Sequence, residues 1–395
     1  MISFLKLSGN YAQVGNGGQD QIRFNTFSYS QGAGQGYITR SPTRAIPDLK
    51  PEIVESIEFG LDTRFFQNRI GFQFTVYKSN SRNQLLLVNT PVGIGFQNQY
   101  INAGNIENKG LELLINATPV RNNNFSWDIS FNLGMNRNKV IKLTEDVKEF
   151  ALEGFSRSAT PIIREGGSYG DMDGFVWMKH ANGKFLVTPE GKPLSSITTG
   201  ELQNIGNFNP KATLGLTNTL NYKGVFLRLL IDGRIGGVIV DGTEQLMAFN
   251  GITKGTEKFR EGGWDLGGVD ATGAPVKVAI KAQDYWTTAS GGRYGSAEFF
   301  SYDATNIRVR EAALGYTIPL PGSVRQVVKE LKLSFVGRNL LFLYRGESKL
   351  DVPGIGKRKM SFDPDMSLGN SNWQGISYGT FPSTQSLGFN LQATF

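Results

Sequence analysis

The sequence predicts an all-β fold, the wall of a transmembrane antiparallel β-barrel built from about ten up-and-down strands. Three observations carry that expectation. Strict two-residue alternation of apolar and polar side chains runs over segments long enough to cross a membrane at a tilt, about 9 to 11 residues. Tight turns alternate with long connections. The chain also closes on an aromatic residue, Phe395, inside an alternating strand.

The clearest segment spans 125 to 136. Phe125, Trp127, Ile129, Phe131, Leu133 and Met135 fall on odd positions, and Ser126, Asp128, Ser130, Asn132, Gly134 and Asn136 on even ones. Successive side chains of a strand point to opposite faces, so such a segment has one greasy and one wet side. The same pattern returns in Leu387, Phe389, Leu391, Ala393 and Phe395. It also marks Ile57, Phe59, Leu61 and Phe65, followed by Ile70, Phe72, Phe74 and Val76.

Strands are expected at 3–14, 55–66, 69–79, 107–118, 125–137, 211–222, 225–235, 305–318, 331–343 and 385–395. In 305–318 the apolar parity slips from Ile307 and Val309 to Ala312, Leu314 and Tyr316, which predicts a β-bulge near Glu311. Val324, Val327, Val328 and Leu331 have helical spacing and predict a short helical turn before 331. Gln67 to Arg69, Arg121 to Asn124 and Lys223 to Gly224 are tight turns, whereas 15–54, 80–105, 138–209, 236–303 and 344–384 are long. Outer-membrane barrels have short periplasmic turns and long external loops, so the long connections are placed outside the cell.

Composition agrees. Mean hydropathy is −0.24, and no run approaches the ~18 apolar residues of a membrane helix. Strands that are apolar only at alternate positions have such an average. Cysteine is absent and His180 is the single histidine, which excludes disulfide frameworks, thiolate sites and multi-histidine zinc centres. The net charge of +7 is spread without a basic block, so no nucleic-acid partner is expected. Met1 to Leu7 is too short an apolar stretch for a secretory signal, and the true amino terminus is expected upstream.

Several stretches, in order, resemble the SusC/RagA-type TonB-dependent transporters of Bacteroidetes-like bacteria. They are LKPE at 49–52, YINAGNIENKGLE at 100–112, NPKATLGLTNTLNYKG at 209–224, RVREAALGYTIP at 308–319, GRNLLFLY at 337–344, DPDMS at 363–367 and the tail FPSTQSLGFNLQATF. The resemblance implies a Gram-negative outer-membrane barrel of about twenty-two strands around a plug. Residues 1–395 would supply its carboxy-terminal part, an open curved sheet on its own. It further implies import of glycan or peptide oligomers with a SusD-like lipoprotein, energised by the TonB complex through the missing amino-terminal part, in contact with outer-membrane lipid. An acidic, asparagine-rich calcium loop expected from the family at 180–206 is not matched; Asn182, Gly183, Lys184, Pro189, Glu190 and Thr198 stand there with few carboxylates. Two alternatives stay open: a truncated barrel fragment that transports nothing, and a soluble carbohydrate-binding β protein.

Local motifs offer no enzyme. Gly166, Ser168 and Gly170 have G-x-S-x-G spacing near Asp171 and His180, but a nucleophile elbow needs a parallel strand running into a helix, not an external loop. Asp171 with Asp173, and Asp363 with Asp365, lack the glycine and glutamate of a calcium-binding EF-hand loop, so no metal or cofactor is expected. Gly32, Gly34 and Gly36 lack phosphate-loop spacing. Arg64, Arg228, Arg308 and Arg338 fall on or near polar strand faces, with Arg234 and Arg310, where they either contact substrate or plug or form charge pairs along the wall. Trp177, Trp264, Tyr285, Trp286, Trp373 and Tyr378 lie in external segments, where flat rings can stack on sugars or fill peptide pockets. Trp127 reads as a membrane-interface anchor.

Overall fold

The structure is a computed structural model that describes residues 2–18, 21–32, 34–145, 147–152, 159–291, 295–368 and 374–395. Ten long strands follow the alternating segments: β1 (Ile2–Asn16), β2 (Glu52–Phe65), β3 (Ile70–Asn89), β4 (Asn98–Arg121), β5 (Phe125–Lys142), β6 (Ala212–Tyr222), β7 (Val225–Ile235), β8 (Asn306–Ile318), β9 (Glu330–Arg345) and β10 (Ser386–Thr394). Each is antiparallel to its chain neighbour, and pairing runs in chain order from β1 to β10. The two-residue segment Thr43–Arg44 adds in parallel beside β4.

Register aligns the apolar positions into rows. One row reads Phe72, Ile115, Phe131, Leu216, Ile231, Val309 and Leu341 across seven strands. A one-residue slip anywhere would send a strand's apolar set to the wet side, so the pattern itself specifies the pairing. The expected bulge is present. Leu230 opposes Glu311 and Ile231 opposes Val309, which leaves Arg310 as the extra residue and puts Ile307 and Leu314 on one face.

Turn chemistry explains the closed end. Lys223 and Gly224 both have positive φ, 46° and 86°. A two-residue hairpin of that kind matches the right-handed twist of its strands. Asn122 accepts from the backbone amides of Asn124 and Phe125 in the turn between β4 and β5. A helical turn, Gly322–Arg325, occupies the connection before β9.

Three strands outrun their expected limits. β3 continues to Asn89, β4 begins at Asn98, and β5 ends at Lys142. Their ladder goes on above the alternating band, where runs such as Leu85, Leu86, Leu87 and Val88 put apolar residues on both faces and hydrophobic alternation no longer marks a strand.

β1 pairs with β2 and β10 with β9, and they do not pair with each other, so the sheet is open. Its apolar face has no core upon it: Leu387, Phe389 and Leu391 are 68 %, 81 % and 65 % exposed. Buried apolar residues gather instead in the long connections, where Met172, Phe208, Trp264, Tyr285, Phe299 and Phe300 form the centre of a loop body. Two helices belong to it, α1 (Gly242–Phe249) and α2 (Ala282–Ser290).

Candidate functional site

Polar positions of β3 to β6 face the loop body, and a cleft of about 990 Å³ opens between them. Tyr77, Asn108, Glu112, Asn136, Asn138 and Thr213 line the strand side. They share the face opposite the apolar rows because their positions alternate with Val76, Leu111 and Met135. Segments 168–171, 206–211 and 236–238, with Asp303 and Lys349, line the other side.

A chain of side-chain amides organises the cleft. Asn136 and Asn138 both donate to Asn108 Oδ1, at 3.2 and 3.1 Å, and the Tyr77 hydroxyl donates to Asn136 Oδ1 at 3.3 Å. The Tyr169 backbone amide donates to Asn138 Oδ1 at 2.9 Å, which ties the loop body to the wall. Asn209 and Asn207 donate to the Tyr169 carbonyl at 2.6 and 3.3 Å. Gly110 lies under the Tyr77 ring, so close that a Cβ there would clash with the phenol and with the Met135 carbonyl. Lys349 donates from Nζ to the Ile205 carbonyl at 2.8 Å. Amides carry paired donors and acceptors, so the cleft can bind neutral hydrogen-bonding groups such as peptide bonds or hydroxyls.

Beside the cleft, Arg308 is 3 % exposed and bonds three carboxylates: Asp232 at 3.0 Å, Asp363 at 2.9 Å and Asp365. Arg310 shares Asp232 and Asp365. This knot fastens the 346–385 connection to β7 and β8, and a guanidinium so enclosed has a structural task. Among the other arginines on polar faces, Arg338 and Arg228 flank Glu311 at 3.0 and 4.0 Å, and Arg64 lies 3.8 Å from Asp62. These are charge pairs along the wall.

The aromatic expectations need correction. Trp177, Trp264, Tyr285 and Trp286 are 3 %, 1 %, 1 % and 4 % exposed. Their rings pack on one another, Trp264 with its centroid 4.2 Å from Tyr285 and Tyr285 5.3 Å from Trp286. With their faces covered in this way they build the loop core and present no platform to a ligand. Tyr378 is half-buried, and Trp373 lies outside the described residues.

The remaining motifs are structural turns. Ser168 Oγ donates to the Tyr169 carbonyl, and His180 Nδ1 accepts from the Asn182 amide. Asp171 accepts from Asn207 and from the Ser168 amide, while Asp173 pairs with Arg164. Among the described residues no group of three or more acidic or histidine side chains is placed to hold a metal. Sequence reading had not singled out Asn108, Asn138, Asn207, Asn209 or Lys349 as site residues. The one signal for the four asparagines is asparagine recurring at alternate positions, and Lys349 has none.

A second, smaller cavity of about 470 Å³ lies at the head of α1. Asp241 caps that helix, accepting from the amides of Thr243 and Glu244 at 3.0 and 3.1 Å. Burial pushes its carboxyl up to about 6. Nearby, the Tyr302 hydroxyl donates to Glu244 at 2.5 Å and Arg358 Nε donates to Tyr302 at 3.1 Å.

Comparison with known proteins bears on the whole chain. Residues 2–340 match the family described as TonB dependent receptor-like, β-barrel. TonB-dependent receptor P3 of Formosa agariphila is 26 % identical over 376 residues, covering 88 % of this chain and 34 % of the relative. TonB-dependent receptor SusC of Bacteroides thetaiotaomicron is 37 % identical over 109 residues, 27 % of this chain and 11 % of the relative. Among solved structures, the RagAB peptide transporter superposes with a TM-score of 0.70 at 19 % identity, covering 100 % of this chain and 41 % of that one. The chain thus spans well under half the length of the relatives it matches over most of its own length.

Proposed function

The chain belongs to the TonB-dependent receptor-like β-barrel family, and on that premise we propose that residues 1–395 form the carboxy-terminal barrel sector of an importer of peptide or glycan oligomers. Such receptors are outer-membrane transporters, which displaces the soluble carbohydrate-binding reading. In this proposal a SusD-like lipoprotein works at the external end, and the TonB complex acts through the amino-terminal part of the full-length protein.

The observation that carries the reading is the amide-lined cleft of about 990 Å³ on the lumenal face. Cargo descending inside the wall would meet Asn136, Asn138 and Asn209 in succession with the loop body. Peptide is favoured over glycan by the lining. Among the described residues Tyr77 and Tyr169 are its only aromatic lining, whereas sugar faces are held by stacking on open rings. Trp177, Trp264 and Trp286, three of the rings expected to stack on sugar, are buried elsewhere.

The test is uptake of labelled peptides and of oligosaccharides of matched length by cells carrying the full-length importer, with Asn136→Ala and Asn209→Ala introduced together. Two lost hydrogen bonds should weaken cargo capture on the order of tenfold, at unchanged outer-membrane abundance. Unchanged uptake of both cargo classes would remove the cleft from the transport path.

A further inference from the structure

On the outer face, register places like charges side by side at the external edge of the apolar band. The row Phe59, Val76, Leu111 and Met135 is apolar; the next row toward the long connections reads Tyr11, Ile57, Lys78, Lys109 and Arg137. Lys78 is directly opposite Lys109, and Lys109 directly opposite Arg137. Like charges in that relation repel and destabilise a sheet.

One carboxylate answers them. Glu107, a row higher, bonds Lys78 at 3.0 Å and Lys109 at 2.7 Å. It also stands opposite a fourth cation, Lys139. Arg137 and Lys139 are exposed and form no ion pair among the described residues. Four cations against one carboxylate leave three positive charges uncompensated. Arg82 and Glu55 above them pair with each other at 3.1 Å and add nothing to the balance.

Height identifies the counter-charge. Lys78 is eight residues from Ile70 at the turn end of β3, about 27 Å along the strand. The apolar band of such barrels is about 25 Å tall, and tilt brings Lys78 to its upper boundary. The cations therefore stand at the headgroup level of the external leaflet, which in a Gram-negative outer membrane is built from phosphorylated glycolipid. The cluster is also local. At the external ends of β6 to β9 the outward residues are Leu214, Ile231, Val309 and Leu341.

We propose that Lys78, Lys109, Arg137 and Lys139 form a binding site for the phosphate of an outer-leaflet glycolipid, whose acyl chains lie along Phe59, Val76, Leu111 and Met135. The lipid phosphate supplies the negative charge that the repelling row lacks. Its apolar tail continues the contact downward on the same wall.

The experiment uses the full-length outer-membrane protein in mild detergent, with binding read by native mass spectrometry. Its probes are a lipid A-type glycolipid, the same glycolipid dephosphorylated, and inorganic phosphate. Each Lys or Arg near an anionic headgroup adds about 1 kcal/mol, so the phosphorylated form should bind on the order of a hundredfold tighter. The variant K78Q/K109Q/R137Q/K139Q should lose that preference, and K78R/K109R should keep it. Equal binding of the two glycolipids by the unaltered protein overturns the proposal, whether or not the glutamine variant folds. So does retention of the preference by a folded glutamine variant. If inorganic phosphate displaces the glycolipid at equal concentration, the site belongs to a soluble anion and the lipid assignment fails.

Discussion

Asp241 is 7 % exposed and caps α1 while carrying a carboxyl raised from its usual 3.8 to about 6. Desolvation is the larger cause and outweighs the amide bonds from Glu244 and Thr243, which favour the charged form. With the folded value above the unfolded one, the unfolded chain binds fewer protons between them. The group's contribution to stability is full below the unfolded value and is lost as pH rises through about 6. Protease resistance of the loop body should therefore fall as pH rises from about 4 to about 6. Asp241→Asn keeps the cap acceptor and removes the titration, so its resistance should be flatter over that range. An equal slope in the variant would assign the effect to another group. The aromatic residues teach a related lesson. Trp264 and Tyr285 were visible in the sequence as loop residues, but burial depends on which distant segments meet, and their surroundings come from 177, 286 and 299.

Strands were the most legible elements. β5 illustrates why: its odd positions meet lipid and its even ones meet the lumen, so hydrophobicity records every residue's direction. Deleting Ser130 would turn half of that strand over, moving either Phe125, Trp127 and Ile129 or Phe131, Leu133 and Met135 to the wet side. The full-length protein with that deletion should lose the heat-modifiable gel mobility of a folded barrel, whereas Ser130→Ala should keep it. Normal mobility of the deletion variant would contradict the assigned faces. The upper parts of β3 and β4 were illegible for the complementary reason. From Asn89↔Asn98 downward to Arg82↔Asn105 the ladder is maintained by backbone hydrogen bonds that leave no strict alternation in the side chains.

For the whole molecule, the two unpaired edges matter most. Each exposes a row of backbone donors and acceptors that lipid cannot satisfy, at several kcal/mol for each unsatisfied group. Expressed alone, the 395-residue chain should give neither heat-modifiable mobility nor stable conductance in a planar bilayer, while the full-length protein gives the folded band. Stable single-channel conductance from the chain alone would mean that β1 and β10 close on each other. By itself the sequence determined the strands, their two faces and the bulge, because each is written in neighbouring residues under a period of two, whereas the open wall was implied by the family resemblance. Only the tertiary structure decided which loop aromatics are buried, which arginine is enclosed by Asp232, Asp363 and Asp365, and where the asparagines converge. Those outcomes depend on contacts between segments tens to more than a hundred residues apart, and no local periodicity records them.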